Sequence, residues 1–369
     1  MIVAFCIDKY FPYGGLQRDF LRIAQEVVSR GHQVRVYTQK WEGDIPENFD
    51  IITVTAGGLT NHGKSEAFSN WVLNHIQKHP VDRVVGFNRM PGLDVYFTGD
   101  VCFAEKMKKK NFLYRLLPRY RHYALYEKAV FQRGSKTKIL LLTQNHQKDF
   151  QAHYQTEDER FFLLPPGIDR NRQYSAQPEN TRSDFRKEFK LADNELLSLQ
   201  VCSNYGLKGV DRSLHAIASL PDNLKANVKF FVVGQDSPEK MQVLASELGI
   251  SKQVRFFSGR DDIARFMLGA DLMLHPARQE AAGIVILESI ISGLPIIVSG
   301  ICGYSHYVDD AKAGVVLREP FNQTEYNQKV VNMLSETTWR QQCAKNAIQF
   351  TDSTDLYSLA TKACDIILG

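Results

Sequence analysis

The chain has 369 residues, more than one hydrophobic core usually organises and enough for two domains. Its 44% hydrophobic and 23% charged residues are those of a globular protein and exclude fibrous and disordered classes. No stretch approaches the ~18 uncharged apolar residues of a membrane-crossing helix, and the six scattered cysteines exclude a disulfide scaffold or a paired-cysteine zinc site.

Met1–Asp8 has no basic leader region and reads as a buried strand over Ile2–Ile7. Gly14-Gly15-Leu16 then opens a helix expected over Leu16–Ser29. Two glycines at such a turn either present backbone amides to a phosphate or simply start the helix. Asp19, one turn in, is placed either to orient a ligand hydroxyl or only to complement the helix dipole. After strands over Gln33–Thr38 and Ile51–Thr55, Gly58-Leu59-Thr60-Asn61-His62-Gly63-Lys64-Ser65 matches the nucleotide-triphosphate loop letter for letter. No hydrophobic run ending in a magnesium-binding aspartate accompanies it. It therefore reads as a chance match before a helix over Ser65–Lys78, with a nucleotide-triphosphate hydrolase as the alternative.

Strands at Arg83–Phe87 and Val95–Phe97 lead into a basic segment. From Glu105 to Arg133 nine lysines and arginines face two acids, a local +7 against +4 for the whole chain. Phe112, Tyr114, Tyr120, Tyr123, Tyr126 and Phe131 are interleaved, with a helix expected over Tyr114–Gln132. That mixture suits an anionic membrane surface, where each base contributes ~1 kcal/mol and aromatic rings sit at headgroup depth. A solvated helix face and a nucleic-acid contact are the other readings of the segment, and no nucleic-acid-binding motif accompanies it; a peripheral membrane-binding protein without catalysis is a second alternative for the chain. A strand at Ile139–Thr143, a helix at Gln144–Tyr154 and a strand at Phe161–Leu164 precede the linker, Pro165-Pro166-Gly167-Ile168 followed by Gln173–Pro178.

The pattern then starts afresh. Strands are expected at Leu196–Val201, Val228–Val233, Val254–Phe257, Leu272–His275, Ile296–Ser299 and Gly314–Val316, alternating with helices. This is the signature of α/β domains with parallel sheets, here two similar Rossmann-like halves. Lys208, in the loop Ser203–Gly209 after the first of these strands, is either a surface lysine or a charge placed to neutralise a departing pyrophosphate.

The richest stretch is Glu280-Ala281-Ala282-Gly283-Ile284-Val285-Ile286-Leu287-Glu288. Its small residues let a ligand approach the backbone, and a helix starting at Gly283 offers unpaired amides and positive dipole charge. Glu280 would face a ligand beyond its phosphates, and Glu288, two turns in, would accept from ribose hydroxyls. Two solvated glutamates on an amphipathic helix are the plain alternative. The Gly-x-Gly-x-x-Gly fingerprint is absent, the ten histidines show no metal-ligand spacing, and no nucleophile elbow is present.

Glu280–Glu288, the Gly14-Gly15 loop, the Arg30-Gly31-His32-Gln33-Val34 turn and Lys208-Gly209 together resemble the retaining glycosyltransferases of family 4, over the full length. Tyr10–Asp19, Pro91–Tyr96 and Cys302–Tyr307 narrow the resemblance to members that glucosylate the lipopolysaccharide core. The resemblance implies a GT-B fold, two Rossmann-like domains facing a central cleft: 1–167 for the acceptor, 168–350 for the nucleotide sugar, and 351–369 crossing back to the first. It implies transfer of glucose from UDP-glucose to an inner-core heptose, with an α-linked product and no metal or other cofactor. Glu280 would hold glucose hydroxyls and Glu288 the ribose, with Ala281, Ala282, Gly283, Ile284 and Val285 presenting backbone. Lys208 and Gly15, beside Gly14, would hold the pyrophosphate, Arg260 would sit near uracil, and Asp19 would act on the acceptor. The expected place is the cytoplasm, on the inner face of the inner membrane through 105–133, with no nucleic-acid partner. The chain departs from the family in one respect. Ser203 stands where many members have an arginine, and Leu207 beside Lys208 is uncharged, so a second pyrophosphate cation must come from elsewhere, with Arg172 the candidate.

Overall fold

A computed structural model of the chain describes residues 1–12, 14–55, 57–108, 110–168 and 178–369. The chain divides into two compact units, Met1–Gly167 with Tyr357–Gly369, and Ile168–Leu356. No helix among the described residues is long and apolar enough to cross a membrane.

The first unit is built on a seven-stranded parallel sheet. Its strands are β1 (Ile2–Cys6), β2 (Gln33–Thr38), β3 (Phe49–Thr53), β4 (Arg83–Gly86), β5 (Val95–Thr98), β6 (Lys138–Leu141) and β7 (Phe161–Leu163). The spatial order is β3-β2-β1-β4-β5-β6-β7, so the chain reverses its direction of travel between β1 and β4. Ala4 in β1 pairs with Arg35 on one side and Val84 on the other. Helices cover both faces, which is why β1 reads as an unbroken apolar run. The Gly15–Ser29 helix buries Phe20, Ile23, Ala24 and Val27, the i, i+3, i+4, i+7 stripe of a one-sided helix. The Leu359–Leu368 helix buries Leu359, Ala363, Cys364 and Ile367 in the same apolar cluster as Phe5, Phe20 and Ile23.

The second unit has a six-stranded parallel sheet of the same handed order. Its strands are β8 (Leu196–Val201), β9 (Val228–Val233), β10 (Val254–Phe257), β11 (Leu272–His275), β12 (Ile296–Ser299) and β13 (Gly314–Leu317), arranged β10-β9-β8-β11-β12-β13. β8 pairs with β9 through Leu199 and Phe231, and with β11 through Leu199 and Met273. Both units therefore show the doubly wound Rossmann order, with the reversal between the first and fourth strands.

Local chemistry explains where the elements depart from expectation. The helix expected from Ser65 begins at Asn61, because Thr60 caps it and its hydroxyl accepts the Gly63 N–H at 3.2 Å. The helix expected over Tyr114–Gln132 is broken at Leu117 into a 3-10 turn, Phe112–Leu116, and a helix, Pro118–Phe131. Proline at 118 is a good first helical residue, and it drives Leu117 into an extended conformation. The helix that the sequence pattern places over Thr337–Asn346 runs on to Ser353, and a helix at Pro178–Glu188, where the linker is expected to end, precedes β8.

Candidate functional site

Ligands of open parallel sheets bind beyond the carboxyl ends of the strands where the order reverses. In the second unit that point lies between β8 and β11. The loop leaving β8 carries Lys208 and the loop leaving β11 carries Glu280. The two loops are close-packed. Gly209 adopts φ +70°, and a Cβ there would lie 2.2 Å from the Pro276 carbonyl oxygen, so only glycine permits the approach. The Arg212 guanidinium donates to the Pro276 and Ala277 carbonyls at 3.0 and 3.3 Å.

This packing brings Lys208 Nζ to 2.5 Å from Glu280 Oε2. His275, the last residue of β11 and 1% exposed, approaches the same oxygen through Nε2 at 3.4 Å. Burial alone would push the Glu280 carboxyl up. The His275 imidazole and the Lys208 ammonium outweigh it and hold the carboxyl near 2. Glu280 is therefore an anion at any physiological pH and not a proton donor. The thiols of Cys202 and Cys302 are pushed up chiefly by burial, Cys202 to about 12, and so remain neutral.

Gly283 ends the loop with φ +91°, where a Cβ would fall 2.8 Å from Ile286 Cδ1, and the Ile284–Ile291 helix begins at once. Ala281 and Ala282 are half-buried, and the Ala282 carbonyl accepts the Tyr304 N–H at 2.8 Å, tying in the loop after β12. Seven of the eight helical residues are buried, including Val285 and Glu288, while Ile284 is half-buried. Glu288 is thus no solvated surface acid: it is 8% exposed on a core helix.

The remaining expected residues are placed as follows. Arg260 leaves β10 but turns onto its own loop: Nε and Nη2 donate to Asp262 at 2.6 and 2.9 Å, and the guanidinium lies 5.0 Å from the Phe266 ring centre. Arg172 lies outside the described residues. In the first unit, Gly14, Gly15 and Asp19 sit together at the start of the Gly15–Ser29 helix, which follows β1 at that sheet's own reversal. A Cβ on Gly15 would meet no atom within 4 Å, so open space lies beside its backbone. Asp19 is half-buried, and burial pushes its carboxyl up to about 7 against the pull of Arg22 and Arg18. The Gly58–Ser65 segment forms no phosphate cradle. The Gly63 amide is taken by the Thr60 hydroxyl and the Lys64 amide by the Thr60 carbonyl at 2.9 Å.

His275 and Arg278 were not singled out by the sequence. A histidine closing a buried strand before proline reads as core, and an arginine in a loop reads as surface. The only signal was their closeness to Glu280 in the chain.

A paired lysine and glutamate at the switch point of the second of two Rossmann-like sheets define a class, and the chain belongs to the family 4 glycosyltransferases, of GT-B fold. Glycosyltransferase Family 4 matches residues 13–172 and Glycosyl transferases group 1 matches residues 181–350. Lipopolysaccharide glucosyltransferase WaaG of Escherichia coli (strain K12) is 55% identical over 370 residues, which are 100% of this chain and 99% of that protein. The crystal structure of WaaG, a glycosyltransferase involved in lipopolysaccharide biosynthesis, superimposes with a TM-score of 0.94 at 54% identity, covering 100% of both chains. Anabaena HepE in complex with UDP and glucose shares the fold at 18% identity, TM-score 0.76, over 99% of this chain and 98% of that one. The protein is accordingly an enzyme, a hexosyltransferase.

Proposed function

We propose that the protein transfers glucose from UDP-glucose to a heptose of the lipopolysaccharide inner core, with retention, giving an α-linked product. The observation that carries this reading is the Lys208–Glu280 pair at the sheet reversal, beside the Ile284–Ile291 helix N-terminus. The 55% identity to a lipopolysaccharide glucosyltransferase supports the choice of sugar and acceptor.

In this reading the diphosphate lies at the helix N-terminus, where Gly283 and Ile284 give it backbone amides and dipole charge. Glu288, about one turn further, accepts from the ribose. Lys208 offsets charge as the UDP leaves, and in the first unit the open backbone at Gly15, beside Gly14, is suited to a phosphate. Both contacts to Glu280 fall on Oε2, leaving Oε1 for glucose hydroxyls. Held by Lys208 and His275 on Oε2, Glu280 orients the sugar through hydrogen bonds to its hydroxyls. The departing phosphate takes the acceptor proton on the same face, and Asp19 orients the acceptor hydroxyl. Lysine and amides supply the charge stabilisation, so the step needs no divalent metal.

Segment 105–133 supports placing the enzyme on the cytoplasmic face of the inner membrane. Of the interleaved aromatics, Tyr126 and Phe131 are buried in the core and face no membrane, whereas Phe112, Leu113, Leu116 and Leu117 are 70%, 55%, 59% and 46% exposed in the basic stretch. Apolar side chains inserted among anionic headgroups, with bases around them, are what an interfacial anchor presents.

Calorimetry with UDP, UDP-glucose and ATP, followed by linkage analysis of the product on truncated core acceptors, tests the reading. Binding of UDP and UDP-glucose and an α-glucosyl-heptose product are expected. Binding of ATP without UDP, or a β-linked product, would overturn it.

A further inference from the structure

Arg278 stands two residues before Glu280, and it grips the loop that carries Lys208. Its N–H donates to the Leu207 carbonyl at 2.8 Å. Its Nη1 donates to the Gly206 carbonyl at 2.9 Å, and Nη1 and Nη2 hold Asp211 Oδ1 and Oδ2 at 2.7 and 2.6 Å. On one side of Lys208, then, Leu207 is bonded to Arg278; on the other, Gly209 lies against Pro276.

We propose that Arg278 is a positioning residue for the transfer: clamped on Gly206 and Asp211, it fixes the Glu280 loop against the Lys208 loop. The proposal rests on the reading that this pair faces the donor. A planar fork with parallel N–H bonds to a carboxylate sets direction as well as distance, which a lysine cannot do. Both terminal nitrogens are committed to Asp211, so the charge of Arg278 is compensated where it stands. Its contribution is geometric, and it does not supply a second cation for the pyrophosphate. Catalytic groups misplaced by ~1 Å lose on the order of 100-fold in rate, so a clamp remote from the reacting atoms still governs turnover.

The test uses the full-length protein and four variants: Arg278→Met, Arg278→Lys, Asp211→Asn and the double Asp211→Asn/Arg278→Met. Turnover of UDP-glucose, UDP affinity by calorimetry and the thermal midpoint are measured on each. Arg278→Met is expected to lower kcat by roughly tenfold with donor KM and midpoint little changed, a fraction of the cost of full misplacement. Arg278→Lys should not rescue it, Asp211→Asn should reproduce it, and the double variant should be no worse than either single change, as for one coupled unit. Full turnover in Asp211→Asn would show the grip to be dispensable, and tighter UDP binding by Asp211→Asn or rescue by Arg278→Lys would show a charge role; each would overturn the clamp. A fall in the midpoint with kcat unchanged would show mere stabilisation and overturn it too. If the unaltered protein bound no UDP, the donor reading itself would fail, and with it the basis of the clamp.

Discussion

Lys208 Nζ and Glu280 Oε2 meet at 2.5 Å although 71 residues separate them in the chain, each in the loop that leaves a buried strand. Their pairing is set by the parallel neighbours β8 and β11, which place the loops that leave them side by side.

Replacing Lys208 by methionine should lower kcat by ~10²–10³, the usual loss when one preorganised group facing developing charge is removed. Single-turnover rates with saturating UDP-glucose measure this. A loss confined to KM would instead assign Lys208 to ground-state binding.

The two glutamates should separate. Glu288→Ala is expected to weaken UDP binding, seen as a higher dissociation constant by calorimetry, while Glu280→Ala keeps UDP affinity and loses turnover. A common loss of both quantities in both variants would reject distinct ribose and sugar ends.

Glu280 also predicts a pH dependence of stability. Its carboxyl is lowered from 4.5 to about 2 in the folded protein, so the unfolded chain binds the proton more readily. The stabilisation is therefore complete above the unfolded value and is lost as pH falls from about 4.5 towards 2. The stability difference between the protein and Glu280→Gln, from denaturant unfolding, should be flat above pH 5 and shrink below it.

Asp19 works in the opposite sense. Raised from 3.8 to about 7, it holds its proton better folded than unfolded. Stability from this group falls as pH rises through that window and levels off above it. Asp19→Asn should thus be more stabilising at pH 8 than at pH 5, and acceptor kcat/KM in the unaltered protein should rise through pH 7, a limb absent from the variant.

Exposed apolar side chains on 112–117 should direct membrane binding. Changing Phe112, Leu113, Leu116 and Leu117 to serine is expected to abolish sedimentation with phosphatidylglycerol-containing vesicles while leaving UDP affinity intact. Raised salt should weaken the binding of the unaltered protein, as screening of the basic residues requires. Undiminished binding by the variant would move the anchor elsewhere.

Much of this architecture was legible in the sequence because parallel strands buried on both faces are apolar throughout. β8, β9, β10, β11 and β12 match their expected spans residue for residue. Legibility failed where a single local bond decides. Nothing in the periodicity of 61–78 reveals that the Thr60 hydroxyl starts the helix four residues early, and that bond is what dissolves the apparent nucleotide-triphosphate loop. The Glu280 loop stood out through its small residues. Its neighbours His275 and Arg278 did not, because their roles arise from β8 and β11 lying adjacent, a fact of topology that no local pattern encodes.

The Leu359–Leu368 helix has a consequence for synthesis. It seals the apolar cluster of Phe5, Phe20 and Ile23, yet it leaves the ribosome only after the whole of Ile168–Leu356. The second unit is contiguous and free to fold as it emerges, whereas the first must wait with an uncovered hydrophobic stripe. Its nascent form is the one that chaperones would meet, and a fragment ending at Gly167 should bind a hydrophobic dye and aggregate where the complete chain does not.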